Sequence, residues 1–530
     1  MLIVFFIWVF LFWSPYDLRN VSQSVVATTF FANNILLFLE NNDYFAEFNS
    51  SNQINPLLHT WSLGVEEQFY IVYPIILIVF LKSKPKIIIY FLSLLLIFSY
   101  LINFNQNNAN ENFYLPYSRA WELLLGSLAF YYLNNLKKIN IDKLFISLSD
   151  IGFILIILSL FIFNTNNKLS SIFLILPTLG TFLIIISTNK SCLSYKFLSS
   201  NIIVFFGLIS YSLYIWHLPI FAIFDYNLLS IPGSNPKLKF FDELIKLICI
   251  CFISYLSYKY VENFFRDKSK IGKKLIVILF LTFSSFLIII GFAGHITDGY
   301  LNLKINASSQ YYINHNIEKN KVLSTDWGNL KNENSDVLIV GDSVSSDLQM
   351  SFETIGIKTE RFDIDGNCFE KIINDGKCKN LRIESFEELL LDKKYIIIAT
   401  NILTDRTYKE LQKMYFYLEK KYKVFVLSDL QFTKPSNLSF YAIKNNKKLN
   451  HLSYLSMHKD IIAHEEKLKS ILPIENIILK RNFFCNDDTK ECELIDENNN
   501  AIFHDPVHLT KHGWNYFGKK LVKWVDQNLN

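Results

Sequence analysis

Residues 274–294 read KLIVILFLTFSSFLIIIGFAG, and they divide the chain into two unlike halves. The run carries no charge after Lys274 and has about the 20 residues that a helix needs to cross a hydrocarbon core. Similar runs precede it at 66–82, 87–104, 119–135, 148–164, 171–188, 202–224 and 243–262, and residues 1–13 read as the end of another span. Residues 21–38 are apolar but interrupted by Ser22, Ser24, Thr28, Thr29, Asn33 and Asn34, a pattern that predicts a re-entrant or interfacial helix. About nine spans are expected. After residue 295 the apolar runs stop and the chain reads as ordinary soluble protein. At 51% hydrophobic and 16% aromatic residues, the 530-residue whole is too apolar for a soluble domain. The net charge of +4 is small, and no basic arm or Lys/Arg block suggests nucleic acid. Met1 to Trp13 has neither the basic n-region nor the small-residue cleavage site of a signal peptide.

Loop charges give an orientation. Lys82, Lys84, Lys86, Lys137, Lys138, Lys143, Lys190, Lys196, Arg266, Lys268, Lys270, Lys273 and Lys274 fall in one set of alternate loops. The opposite loops, near 105–118, 164–170 and 225–242, hold little beyond Lys168, Lys237 and Lys239. The positive-inside rule puts the first set in the cytoplasm, so the segment after the last span is extracytoplasmic. The cysteines agree. Cys368, Cys378, Cys485 and Cys492 form two close pairs in the polar half, which suits disulfides in an oxidising compartment. Zinc is the rival reading, but neither pair has CxxC spacing or a suitably placed His.

Residues 1–295 are therefore expected to be a membrane domain, 296–330 a linker and 331–530 a soluble domain. In the last, the β-branched runs Val337–Val340, Tyr395–Ala399 and Val424–Leu427 alternate with helix-like stretches at 384–391 and 407–420. Strands alternating with helices predict an α/β fold with a mostly parallel sheet.

The first of these strands runs into Gly341-Asp342-Ser343. A Ser after Gly at a strand's end sits on a tight turn, with its hydroxyl exposed and a helix N-terminus behind it to stabilise an oxyanion. Alone, Ser343 could be a helix cap. Near the other end stands His504-Asp505-Pro506-Val507-His508-Leu509. Asp505, three residues before His508, is placed to orient one imidazole nitrogen while the other serves as base to a serine. The alternative is that His508 is a surface histidine; His504 and His512 are read as solvated.

These two blocks resemble those of the SGNH hydrolase family. The resemblance implies a three-layer α/β domain with Ser343 as nucleophile, His508 as base and Asp505 as orienter. The family's middle blocks, a Gly and an Asn that bind the oxyanion, have no clear match; Asn401, after the second strand, is the candidate.

The membrane half carries Asn55-Pro56-Leu57-Leu58-His59-Thr60-Trp61-Ser62-Leu63-Gly64-Val65-Glu66-Glu67-Gln68-Phe69-Tyr70. Two adjacent carboxylates at the head of a span are costly in lipid and must face protein or water. The alternative is an interfacial anchor, with Trp61 and Tyr70 in the aromatic belt. The string resembles the signature of the acyltransferase-3 superfamily. Further matches follow in order: Tyr117–Gly126, which brings Arg119 and Glu122 to the mouth of a span; Leu176–Thr181; Gly207–Pro219, which contains His217; and Tyr255–Arg266. The resemblance covers about residues 1–300. It implies O-acyl transfer, of acetyl above all, from cytoplasmic acyl-coenzyme A as donor substrate, with no bound cofactor or metal. The acceptor would be an envelope glycan such as lipopolysaccharide O-antigen or peptidoglycan, and the location a bacterial inner membrane. His59, Trp61, Ser62, Glu66, Glu67, Arg119, Glu122 and His217 are the functional candidates.

Family members begin with two further helices, carrying a His and an Arg-rich segment that serve the acyl donor. Nothing in Met1–Asn20 matches them, so the chain is expected to lack them or to take them from a separate polypeptide. An extracytoplasmic carbohydrate esterase on a membrane anchor and an inactive remnant are the rival functions. A transporter is disfavoured, since no inverted repeat is visible.

Overall fold

The computed structural model describes residues 1–40, 55–79, 85–105, 109–135, 142–162, 171–187, 190, 192–225, 236–267, 269, 271–304, 335–364, 377–378, 381–400, 405–432, 449–457, 460–498, 500–503 and 507–529. Cys368, Asn401 and Asp505 lie outside them, as does most of the expected linker. The chain forms two compact units, one within Met1–Leu301 and one made mainly of Asn302–Asn530.

The first unit is helical. Its elements include α1 (Leu2–Phe12), α2 (Pro15–Thr29), α3 (Asn33–Leu39), α4 (Thr60–Val79), α5 (Pro85–Asn105), α6 (Ala109–Tyr114), α7 (Pro116–Asn135), α8 (Asp142–Ile162), α9 (Ser171–Ser187), α10 (Asn201–Asp225), α11 (Pro236–Leu256) and α12 (Lys273–Ile296). Within the described residues, each apolar run of the sequence falls on a helix. Among the described residues, Ile87–Asn105, Asn201–Phe224, Glu243–Arg266 and Lys273–Ile296 are long and apolar enough to cross a membrane. That is fewer than the nine expected spans; α4 carries Glu66 and Glu67, and α7 carries Arg119 and Glu122, within their first two or so turns.

The interrupted stretch 21–38 is two helices, broken where Phe31 takes a positive φ of 54°. Its polar residues have a packing role. Ser22, Ser24, Thr28, Asn33 and Asn34 are all buried. Asn33 Nδ2 donates to the Leu57 carbonyl at 3.0 Å, and Asn34 Nδ2 donates to the Tyr114 carbonyl at 3.0 Å. Gln68 Nε2 donates to the Phe31 carbonyl at 2.7 Å, so α4 is tied to the break. These bonds satisfy backbone oxygens that would be expensive to leave unpaired inside an apolar unit. Small residues close the other interfaces. A Cβ at Gly152 would stand 2.6 Å from the Gly180 carbonyl oxygen, and one at Gly180 the same distance from that of Gly152. The backbones of α8 and α9 thus meet directly, as small-residue helix packing in membranes does.

The second unit is α/β. Its strands β1 (Val337–Gly341), β2 (Glu360–Asp363), β3 (Tyr395–Ala399), β4 (Lys423–Leu427) and β5 (Ile477–Ile478) form one sheet in the order β2-β1-β3-β4-β5, with every pair parallel. Strands covered on both faces read as continuous apolar runs, which is why the sequence signal was clear. Alternate residues point to opposite faces. Val337, Ile339, Ile397 and Phe425 pack with α13 (Ser343–Thr354) and α16 (Lys511–Asn528) through Leu348, Phe352, Phe517 and Leu521. Leu338, Val340, Ile396, Ile398 and Val426 pack on the other face with α14 (Asp405–Leu418) and α15 (Asp460–Ile471), through Leu411, Tyr415 and Leu468. Cys485 and Cys492 are disulfide-bonded across a short antiparallel hairpin. Cys378 is on a described strand, while its expected partner Cys368 is not described. Among the described residues, no group of His, Cys, Asp and Glu could hold a metal ion.

Strand order reverses at β1, with β2 on one side and β3 on the other. Ligands of open parallel sheets bind beyond the carboxyl ends of the strands at such a point. At that point Gly341 meets Ala399: a Cβ on Gly341 would overlap the Ala399 carbonyl oxygen. Gly341→Ala should therefore destabilise this unit by about 1–3 kcal/mol, the cost of overpacking a tight contact. Its thermal unfolding midpoint, followed in the detergent-solubilised chain, should fall; an unchanged midpoint would mean the strand ends have room to spare.

Candidate active site

The turn from β1 into α13 is built around a carboxylate. Asp342 Oδ1 accepts the Val344 N–H at 3.0 Å and caps the helix, while Asp342 Oδ2 accepts the Thr400 hydroxyl at 2.8 Å. Thr400 directly follows β3, so one side chain ties the start of the helix to the end of the neighbouring strand. Ser343 is the first residue of α13 and is exposed, although nearly everything around it is buried. The helix N-terminus behind it offers backbone N–H groups and the positive end of the dipole to a developing oxyanion.

His508 lies 165 residues further on, and its Nε2 is 2.8 Å from Ser343 Oγ. In the tautomer that accepts from Ser343, Nδ1 carries the proton, the geometry of a base acting on a serine. His508 is held from both sides in sequence. Phe503 and Leu509 form an isolated antiparallel bridge. The Thr510 N–H donates to the Ile502 carbonyl at 2.9 Å, and the Thr510 hydroxyl caps α16 by accepting the Gly513 N–H at 2.9 Å. Asp505, the expected orienter, and Asn401, the expected oxyanion donor, lie outside the described residues. His512 is half-buried at the start of α16.

Two residues that sequence reasoning missed stand beneath the pair. Asp347 is buried one turn after Ser343; its Oδ2 accepts the Leu509 N–H at 3.1 Å and its Oδ1 accepts the Trp514 indole N–H at 2.9 Å. Burial pushes its carboxyl up, against the opposing pull of Lys480, His508 and its two donors. Lys480, just beyond β5, is fully buried and its Nζ donates to the Val507 carbonyl at 3.3 Å. The signal for Asp347 was its i+4 spacing from Ser343, which puts both on one side of the helix. Lys480 left none, because nothing local in the sequence says which lysine is buried.

In the helical unit the candidates gather into two groups. His59 is buried, with its ring 5.0 Å from that of His217 and 5.2 Å from that of Tyr214. The Tyr214 hydroxyl donates to the His59 carbonyl and shares a hydrogen bond with Ser62 Oγ. Tyr214 was not among the candidates, although it lies one turn before His217, whose Nδ1 is 2.6 Å from the Tyr214 carbonyl. The second group is Trp61, Arg119 and Glu122. The Trp61 ring lies 4.3 Å from that of Phe113, with the Arg119 guanidinium 5.4 Å above it. Arg119 pairs with Glu122, Nε to Oε1 at 3.0 Å. Glu66 and Glu67 lie further along α4; Glu66 accepts the Tyr70 hydroxyl at 2.5 Å.

Comparison with known proteins gives these groups a family. Residues 1–258 match the family described as "Acyltransferase domain", the acyltransferase-3 family, and the helical half of the chain belongs to it. "O-acetyltransferase OatA" of Staphylococcus aureus strain NCTC 8325 is 29% identical over 270 residues, a match spanning 49% of this chain and 43% of that protein. The chain thus spans under half the length of this relative. A second Staphylococcus aureus protein, from strain COL and named "Putative O-acetyltransferase SACOL0978", is 26% identical over 518 residues, covering 88% of this chain and 82% of its own length.

A serine-directed fluorophosphonate should label Ser343. His508→Ala should slow that labelling by about 10²–10⁴-fold, the range for loss of a general base. Labelling at the wild-type rate in that variant, read by peptide mass spectrometry, would mean that the 2.8 Å contact does not activate the serine.

Proposed function

We propose that the chain is a membrane O-acetyltransferase that passes an acetyl group from cytoplasmic acetyl-coenzyme A, through its helical half, to Ser343, and from there to a hydroxyl of an extracytoplasmic envelope glycan. The observation that carries this reading is the Ser343–His508 hydrogen bond at an exposed strand end, on the same chain as an acyltransferase-3 domain. The match to SACOL0978 supports it, because it extends across both halves. The disulfide between Cys485 and Cys492 and the lysine-rich alternate loops support an extracytoplasmic place for the second half.

The chemistry is a two-step displacement. Ser343 Oγ attacks the acyl carbon while His508 Nε2 takes the hydroxyl proton. The tetrahedral intermediate expels its leaving group, which receives that proton, and an acetyl ester remains on Ser343. A glycan hydroxyl then attacks the ester, His508 takes its proton, and the ester oxygen leaves as the Ser343 hydroxyl. Splitting the transfer this way replaces one difficult step by two easier ones. Asp505 is the residue we assign to orient His508, and Asn401 to the oxyanion.

In the helical half, His59, Ser62 and His217 converge with Tyr214, while Trp61, Arg119 and Glu122 form the neighbouring group. We assign these residues, with Glu66 and Glu67, to handling the acyl donor. Ionisable side chains within membrane helices are costly and are usually retained for function.

The exposure of Ser343 favours a second reading, in which water replaces the glycan hydroxyl and the chain is a carbohydrate esterase. Acetate released without any acetylated product would support it.

Ser343→Ala should reduce base-releasable acetate on the envelope glycan to the level of cells lacking the protein, while the chain remains inserted and folded. Glycan acetylation retained in that variant would remove the soluble site from the mechanism. Glu66→Gln and Glu67→Gln should each lower glycan acetylation by about tenfold or more, an effect of about 1.4 kcal/mol on the transition state. They should leave fluorophosphonate labelling of Ser343 unchanged. Acetylation at wild-type levels in both would return the two carboxylates to an anchoring role.

A further inference from the structure

We propose that Asp347 and Lys480 form a buried clamp that positions His508, and that the Asp347 carboxylate also stabilises the imidazolium that His508 becomes when it takes a proton. This rests on the reading of Ser343 as nucleophile and His508 as its base.

The clamp is visible in which peptide groups it holds. His508 is flanked by Val507 and Leu509. The Val507 carbonyl accepts from Lys480 Nζ at 3.3 Å, and the Leu509 N–H donates to Asp347 Oδ2 at 3.1 Å. A cation and an anion, both inside the domain, thus grip the two neighbours of the base. They come from separate places: Asp347 from α13, one turn below Ser343, and Lys480 from the segment after β5. Asp347 therefore belongs to the same rigid helix as the nucleophile and also bonds the segment that carries the base. A shift of the backbone beside His508 away from α13 would stretch that bond. The second donor to Asp347, the Trp514 indole at 2.9 Å, anchors the same carboxylate to α16.

These residues look costly unless they have such a task. A buried unpaired ion gives up favourable solvation with nothing in return. The cluster answers that cost internally. Lys480 lies in the field of both Asp347 and Asp429, a buried carboxylate just beyond β4. Asp429 accepts the Leu430 N–H at 3.0 Å and the Gln431 amide at 3.2 Å. Burial raises both carboxyls and Lys480 opposes the rise. Both oxygens of Asp347 act as acceptors from N–H donors, which suits the carboxylate and not the acid. Among the described residues, the charged groups in this cluster are Asp347 from α13, Lys480 beyond β5, Asp429 beyond β4 and Asp342 at the helix cap. Asp347 and His508 interact electrostatically, so a proton arriving on His508 finds a negative charge beneath it. An opposite charge at close range favours the protonated imidazole.

The test is hydrolysis of p-nitrophenyl acetate by the full-length chain in detergent micelles, over a range of pH. Asp347→Asn should lower kcat by about tenfold or more with little change in KM, because a slightly misplaced base costs rate and not ester binding. Its acid limb should move to lower pH by about half a unit or more, since imidazolium loses a stabilising charge. Lys480→Met should lower kcat to a similar degree. Circular dichroism would establish that each variant folds; if Asp347→Asn does not, Lys480→Met decides alone. Wild-type kcat in the folded variants, with Ser343→Ala inactive, would overturn the clamp and leave the nucleophile standing. A reduced kcat with an unmoved acid limb in Asp347→Asn would overturn the electrostatic half. Full hydrolysis by Ser343→Ala would instead sink the reading on which the clamp depends.

Discussion

The α/β unit depends on the contact between Gly341 and Ala399. Two parallel strands approach so closely at their carboxyl ends that only a glycine fits. That approach lets Asp342 reach both the first turn of α13 and the Thr400 hydroxyl. The turn is thereby fixed, and Ser343 has one place to go, exposed at the mouth of the crevice where strand order reverses. The rest of the domain supplies the partner. The chain runs through the four other strands of the sheet before returning with a loop that sets His508 Nε2 2.8 Å from Ser343 Oγ. Each residue of this pair, taken alone, could have an ordinary role: a helix cap for Ser343, a surface histidine for His508. Their meaning comes from the sheet that brings them together.

The helical half follows a different rule. Its interior is apolar, so each polar group buried there must find a partner or be kept for function. Asn33, Asn34 and Gln68 find theirs in backbone carbonyls, and they hold the break at Phe31 against α4. His59 is buried with its ring against those of His217 and Tyr214. Ser62 stands beside them, sharing a hydrogen bond with the Tyr214 hydroxyl. Arg119 and Glu122 satisfy each other, and the Trp61 ring covers the guanidinium.

Much of this was legible in the sequence because burial leaves a pattern. Membrane helices and strands covered on both faces are unbroken apolar runs, so the helices and the strands at Val337, Tyr395 and Lys423 could be read directly. The two-residue strand at Ile477 is too short to leave such a run. Ser343 and His508 were legible because each stands beside residues that constrain its backbone. Stretch 21–38, read as a re-entrant or interfacial helix, is two helices broken at Phe31, and what its sequence did not tell is that its buried polar residues bond backbone inside the unit. Asp347, Lys480 and Tyr214 escaped notice for one reason. Their importance lies in contacts with residues 162, 27 and 152 positions away, respectively, and no local pattern reports such contacts. A buried lysine looks like an exposed one until the fold is known.

The central claim is that Ser343 carries the acyl group on its way to the acceptor. Membranes containing the chain can be given acetyl-coenzyme A labelled with ¹³C in the acetyl group, quenched in acid during turnover, and digested for mass spectrometry. The account predicts a labelled acetyl ester on the peptide that contains Ser343. Label that reaches the glycan with none on that peptide, in samples quenched at successive times, would contradict it.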